Sequence, residues 1–245
     1  MAPELAQYFT PQPVAAFALD ALMALGLRPG RLRAIDPACG EGVFLLEAGK
    51  RLPEAELWGC DLDEGLRERW RSAGLDAPRA RLLVQDGLLD APLFGVGAGM
   101  FGLVVGNPPY GLGMLRPATG EPIEAQFLRR FVLLAEPGGW LAIVVPEGIV
   151  ANARSQPLRD WLLERAALKA VIALPESTFA AAGTRARTML LLARKQRGEG
   201  GEVLLAARSA GGRDEGALST YLAEVLEAIR GRAEHVPTGR RGRAR

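Results

Sequence analysis

The stretch Asn107-Pro108-Pro109-Tyr110 combines residue types, in an order, that can hold an amino group for chemistry. It follows the apolar run Leu103-Val104-Val105-Gly106, which reads as a buried strand, and two prolines then stop that strand because proline cannot donate to a sheet. Asn107 therefore stands on a strand tip. Pro108 has a fixed φ and, being followed by Pro109, is driven toward extended geometry, so its carbonyl points in a set direction. The Asn107 side-chain oxygen and the Pro108 carbonyl then form two fixed acceptors side by side, with the Tyr110 ring two residues on as a stacking surface. Such a pair suits a flat group bearing an NH2. A rigid strand-to-loop turn with a surface tyrosine would use the same residues, and the rest of the chain decides between the readings.

Three acidic positions stand on other strand tips. Leu32 to Asp36 reads as a strand followed by the small-residue loop Pro37-Ala38-Cys39-Gly40-Glu41-Gly42 and a helix from Val43 to Arg51. A strand, a tight loop and a helix make the first unit of a doubly wound sheet, with the ligand expected at the carboxyl end of the strand. The loop has Gly-x-Gly without the third glycine of a dinucleotide fingerprint, so it suits a nucleoside carrying an amino acid better than NAD. A second strand, Leu57 to Asp61, ends in an acid placed to accept from both hydroxyls of a ribose. A third, Arg81 to Val84, leads into Gln85-Asp86-Gly87, where a carboxylate can accept from an adenine amino group. Each of these acids is also suited to capping the helix that follows.

The elements that must position these groups follow from periodicity and punctuation. Thr10-Pro11 reads as a helix start, with the hydroxyl as cap and proline in the first turn, for a helix reaching about Leu25 and ended by Gly26. Met100 to Asn107 is the fourth strand, and the loop from Gly111 to Pro122, rich in Gly and Pro and carrying Arg116, leads to a helix from Glu124 to Ala135. A fifth strand (Trp140 to Val145), a helix (Leu158 to Ala167) and a sixth strand (Ala170 to Leu174) come next. The seventh strand, Thr188 to Leu192, follows too soon for a right-handed helical crossover, so the last two should pair antiparallel. The expected fold class is α/β and Rossmann-like, a mostly parallel seven-stranded sheet with one antiparallel strand near the edge. Glu202 to Ala206 is a candidate for one more strand. Residues 1–208 are read as one catalytic domain and 209–245 as a C-terminal helix, with Leu218, Tyr221, Leu222, Val225, Leu226 and Ile229 on its apolar stripe, and an Arg-rich tail.

Composition narrows the chemistry. Cys39 and Cys60 are the only cysteines and His235 the only histidine. That rules against a zinc set, a disulfide framework or a His-dependent triad, so no metal is expected. Both thiols read as small packing residues, which argues against cytosine C5 methylation because that reaction needs a nucleophilic thiol. The chain has 245 residues, 49% hydrophobic and 24% charged, with a net charge of +2. No apolar run approaches the roughly 18 residues of a membrane span and no signal segment opens the chain, so a cytoplasmic location and no membrane partner are expected.

Taken in order, Gln7-Tyr8-Phe9-Thr10-Pro11, Asp36-Pro37-Ala38-Cys39-Gly40-Glu41-Gly42, Asp61, Asp86 and Asn107-Pro108-Pro109-Tyr110 resemble the gamma-class N6-adenine DNA methyltransferases over about residues 4 to 195. The likeness is above all to the catalytic core of type I modification subunits and of fused restriction-modification enzymes. It implies an S-adenosylmethionine-dependent methyltransferase fold with S-adenosylmethionine as cosubstrate, DNA as substrate and adenine N6 as the methylated atom, in a restriction-modification context. It further implies that Tyr8, Phe9, Thr10 and Pro11 with the loop Asp36, Pro37, Ala38, Cys39 and Gly40 surround the methionine portion. Asp61 would meet the ribose, Asp86 and Gly87 the adenine, Phe127 would pack on the cosubstrate, and Leu62 would be a further cosubstrate-binding residue. Asn107, Pro108, Pro109 and Tyr110 would be catalytic, Asn107 also touching the cosubstrate, and Tyr110 and Phe179 would flank the target base. The resemblance departs at the ends, where relatives carry a target-recognition domain or recruit a specificity subunit, so a partner for sequence choice is expected. Two alternatives remain at this point: a protein-glutamine methyltransferase using the same amide holder, and a non-catalytic S-adenosylmethionine-binding subunit of a DNA-bound complex.

Overall fold

The computed structural model describes residues 9–88, 99–110, 120–182, 186–197, 202–207 and 215–234. Eight strands form one sheet: β1 (Arg33–Asp36), β2 (Glu56–Asp61), β3 (Ala80–Val84), β4 (Phe101–Gly106), β5 (Ala135–Pro146), β6 (Ala167–Leu174), β7 (Thr188–Arg194) and β8 (Leu204–Ala206). Their order is β3-β2-β1-β4-β5-β7-β6-β8. The pairs from β3 through β5 are parallel, β7 runs antiparallel to both β5 and β6, and β8 returns parallel to β6. The short β6–β7 connection thus produces the reversed strand that its length requires. The candidate eighth strand forms as well, so the sheet is one strand wider than the expected seven.

Both sheet faces are buried, and strand residues alternate between them with period two. Leu103, Val105, Ala142 and Val144 face one core, shared with α1 (Gln12–Leu25), α2 (Val43–Arg51), α3 (Leu66–Ser72) and α7 (Glu215–Glu234). Ile35, Val104, Leu141 and Ile143 face the other, covered by α4 (Ile123–Leu134), α5 (Glu147–Ala151) and α6 (Gln156–Leu163). The apolar stripe of α7 packs back on the sheet: Tyr221, Leu222, Val225 and Ile229 lie in the first core, and the Tyr221 hydroxyl donates to the Ala173 carbonyl at 2.9 Å. Among the described residues, no helix is long and apolar enough to cross a membrane.

α1 begins differently from the sequence expectation. Pro11 occupies the cap position and no side chain caps the helix, so the Thr10 hydroxyl is not spent there. At the other end, Gly26 at φ +119° lets the chain leave left-handed while Leu27 N–H donates to Leu22 O at 2.9 Å.

α1 and α2 are joined by a buried acid. Glu47, 3% exposed, accepts from Gln12 Nε2 at 3.0 Å and Lys50 Nζ at 2.6 Å, and also from Arg51, which clasps Asp20 with two bonds of 2.6 and 2.8 Å. Burial alone would raise the Glu47 carboxyl, but the hydrogen bonds from Lys50, Gln12 and Arg51 outweigh it and hold the group below its ordinary value. A lowered folded-state pKa stabilises the fold above the unfolded carboxyl range, and this stability is lost as pH falls through the folded value. Glu47→Ala strands these donors at the α1–α2 seam and is expected to cost about 2–3 kcal/mol. Urea unfolding should show a lower midpoint with unchanged slope, and the difference from wild type should shrink on the acid side.

Candidate functional site

The strand order reverses between β1 and β4, because the chain builds β1, β2 and β3 outward and then returns to pair β4 on the other side of β1. The space beyond the carboxyl ends of β1 and β4 is therefore the natural crevice of the sheet. Asp36 ends β1, and Asn107 immediately follows β4. A cleft lies there, lined by Asp36, Ala38, Cys39 and Gly40, by Asn107, and by Phe9 and Thr10 from the segment before α1. Glu41, within the glycine loop, and Val43 and Phe44, at the start of α2, also line it, and only adjacency to the loop could have marked the last two.

The three acidic strand tips use one local device. Asp36 Oδ1 accepts from Ala38 N–H at 3.0 Å, Asp61 Oδ1 from Asp63 N–H at 3.1 Å, and Asp86 Oδ1 from Leu88 N–H at 2.9 Å. Each carboxyl group turns the chain away from its strand through a bond to the backbone two residues on. The second oxygen of Asp61 reaches across to Gly40 N–H at 2.8 Å, which ties the tip of β2 to the glycine loop. Trp70 Nε1 donates to the Gly40 carbonyl at 2.7 Å from the far side.

Two glycines are required by close approach. A Cβ on Gly106 would lie 2.5 Å from Asp36 Oδ1, and one on Gly87 only 1.9 Å from the Pro37 carbonyl oxygen. Gly87 therefore lets the β3 loop press against the β1 loop, and its carbonyl accepts from Arg130 Nε at 3.0 Å. Gly40, at φ +50°, has the Phe9 ring packed against it, and the Arg69 guanidinium lies 5.7 Å from that ring's centroid while pairing with Glu41.

Burial sets the electrostatics. The Asp36 carboxyl is 1% exposed, and among the described residues no Lys or Arg forms an ion pair with it. Loss of hydration pushes it up to about 8, against the Ala38 N–H bond and with a smaller push from Asp61. Burial also raises the Cys60 thiol to about 12 and drives the Cys39 thiol well above its ordinary value. Both thiols stay protonated at neutral pH and are poor nucleophiles.

Of the remaining site candidates, Pro108 is buried, Pro109 is half-buried and Tyr110 is 3% exposed. Pro37 and Pro11 flank the cleft in sequence, and Leu62 is 54% exposed beside Asp61. Phe127, on α4, is 5% exposed in the core of Ile35 and Val104, whereas Phe179 is 1% exposed in the opposite core beside α1. The two rings thus lie on opposite faces of the sheet, and the structure keeps Phe179 inside. Tyr8, residues 111–119 with Arg116, His235 and the Arg-rich tail lie outside the described residues.

Residues 74–224 match the family described as N-6 DNA Methylase. The chain is 33% identical over 115 residues to the type II methyltransferase M.XamI of Xanthomonas campestris pv. amaranthicola, covering 44% of this chain and 20% of that protein. It is 32% identical over 128 residues to the ribosomal RNA large subunit methyltransferase G of Shewanella amazonensis, covering 50% of this chain and 32% of that protein. Its structure superposes on a modification subunit of a putative type I restriction enzyme from Vibrio vulnificus YJ016 with a TM-score of 0.71 and 20% identity, over 94% of this chain and 54% of that chain. The shared fold is the Rossmann-like fold of S-adenosylmethionine-dependent methyltransferases. The chain spans about a third or less of the length of the curated relatives it matches.

Proposed function

Because the chain belongs to the N-6 DNA methylase family, we propose that it transfers a methyl group from S-adenosylmethionine to the N6 amino group of adenine in DNA. The observation that carries the reading is the shared cleft at the switch point, where the Asn107 amide stands across from the Asp36 to Gly40 loop. An acceptor for an amino group and a seat for a nucleoside-bearing amino acid therefore adjoin.

The residues present fit S-adenosylmethionine. A buried acid, Asp36, which pairs with no cation among the described residues, lines a cleft together with Phe9 and Thr10, and Asp61 retains lone pairs for ribose hydroxyls after taking its two backbone bonds. Asp86 and Gly87 would hold the adenine, and Leu62 and Phe127 would complete the set of residues that meet the cosubstrate. When bound, the cosubstrate supplies an electrophilic methyl group on a sulfonium.

The protein's own task is to make a poor nucleophile attack. The lone pair of an adenine amino group is delocalised into the ring. Asn107 Oδ1 and the Pro108 carbonyl accept its two N–H bonds, which localises the pair on nitrogen and aims it at the methyl. The same two dipoles stabilise the positive charge that grows on nitrogen as the S–CH3 bond breaks and the N–CH3 bond forms, and the surplus proton then leaves for solvent. No general base is needed before attack. Unstacking the base costs a few kcal/mol, and a face of Tyr110 uncovered by the incoming base returns about 1–3 kcal/mol. Phe179 takes part only if its ring leaves the core.

DNA is the proposed partner, together with a specificity subunit or a target-recognition segment, in a restriction-modification setting and in the cytoplasm. The test is transfer of labelled methyl from S-adenosylmethionine to DNA, RNA and protein offered together, sorted by nuclease and protease digestion. Label in DNA is expected. Label in RNA would favour the reading that the likeness to a ribosomal RNA methyltransferase supports, and label in protein would favour glutamine amides.

A further inference from the structure

We propose that Asp36 reads the charge of the ligand: it keeps its proton in the free protein and gives that proton to solvent when the cationic methionine portion of the cosubstrate enters the cleft. The inference rests on the assignment of this cleft to S-adenosylmethionine and adds a proton to its binding equilibrium.

The argument is geometric first. The carboxyl lines the cleft and is packed against Gly106, whose missing Cβ makes room for it where the Phe131 ring also approaches. The charged and titratable groups around it give no compensation. From β2 come the Cys60 thiol and the Asp61 carboxylate, from the loop the Cys39 thiol and Glu41, and from β4 only Gly106 and the neutral Asn107. On α4, the Arg130 guanidinium donates to the Gly87 carbonyl and its charge reaches Cys60, and on α3 Arg69 pairs with Glu41; among the described residues neither forms an ion pair with Asp36. Among the described residues, one N–H bond, from Ala38, supports the carboxyl. Burial of this kind favours the neutral acid, in line with the upward shift of the group. A cation arriving in the same cleft reverses the balance, because a carboxylate beside it gains a charge-assisted contact that a neutral acid cannot. The balance is simple: the O–H bond of Asp36 breaks, the proton passes to buffer, and the carboxylate stays paired with the ligand's positive charge.

Titration calorimetry of the full chain at pH 6.5, repeated in buffers of different ionisation enthalpy, counts the protons. Wild type should release about one proton per S-adenosylmethionine bound, and its affinity should rise about tenfold per pH unit from pH 6 to 7.5. Asp36→Asn should release none and bind roughly 10- to 100-fold more weakly. The uncharged nucleoside 5′-methylthioadenosine should bind both proteins equally and without proton release. Should Asp36→Asn fail to fold, the wild-type contrast between the two ligands still decides. Binding of S-adenosylmethionine without proton release, equal release from Asp36→Asn, or equal release with the neutral nucleoside would overturn the proposal. Failure of wild type to bind S-adenosylmethionine at all is a different result and would overturn the cosubstrate assignment itself.

Discussion

Asn107→Ala should lower methyl transfer by about 10²–10³-fold while the fold and cosubstrate binding persist. The residue follows β4 and belongs to neither apolar core, so truncation removes no core packing. What is lost is one of the two acceptors on the amino group, leaving the Pro108 carbonyl alone to localise the lone pair. Single-turnover rates with saturating DNA and S-adenosylmethionine measure the effect, and the loss should fall on the chemical step with a much smaller change in cosubstrate affinity. Asn107→Asp keeps an acceptor oxygen at the same reach and should recover part of the rate. Equal rates for wild type and Asn107→Ala would mean that the amide has no part in transfer, as expected of a subunit that only binds the cosubstrate.

Gly87→Ala should be the most damaging single-methyl change in the described site. The added Cβ would lie 1.9 Å from the Pro37 carbonyl oxygen and 2.9 Å from its carbon, both backbone atoms that cannot rotate aside. Either the β3 loop or the Asp36 to Gly40 loop must shift, so a loss of about 1–3 kcal/mol is expected together with weaker cosubstrate binding. Gly231→Ala provides the contrast: it lies in α7 with nothing within 4 Å of its added Cβ, and alanine there should be neutral or stabilise by about 0.5–1 kcal/mol. Thermal unfolding of the two variants, each with and without S-adenosylmethionine, separates the local collision from the general effect of replacing glycine. If Gly87→Ala and Gly231→Ala behaved alike, the contact between the two loops would not be holding the site.

Much of this architecture was legible because parallel strands bring their carboxyl ends to one side. Once Asp36, Asp61, Asp86 and Asn107 were read as strand tips, the sheet had to gather them, and the order reversal between β1 and β4 put Asp36 and Asn107 across one cleft. The antiparallel β7 followed from the length of a connection, and α2 from the glycine loop that starts it. The features that escaped depend on contacts between segments distant in sequence. Thr10 looks like a helix cap locally, yet the chain enters α1 through Pro11 and leaves the hydroxyl beside the cleft. Phe179 sits in a connection and is expected beside the target base, whereas the turn packs its ring in the core that α1 shares. The collision that makes Gly87 necessary, and the burial that raises Asp36, exist only after β1, β3 and β4 have been assembled.

The identity of the methylated nucleoside tests the central claim most directly. DNA treated with the purified chain and isotopically labelled S-adenosylmethionine, with any partner subunit needed for target choice, is digested to nucleosides and resolved by mass spectrometry. N6-methyldeoxyadenosine carrying the label, absent from the Asn107→Ala reaction, is the predicted result. Label on cytosine, or in a product that Asn107→Ala forms as well as wild type, would contradict the account.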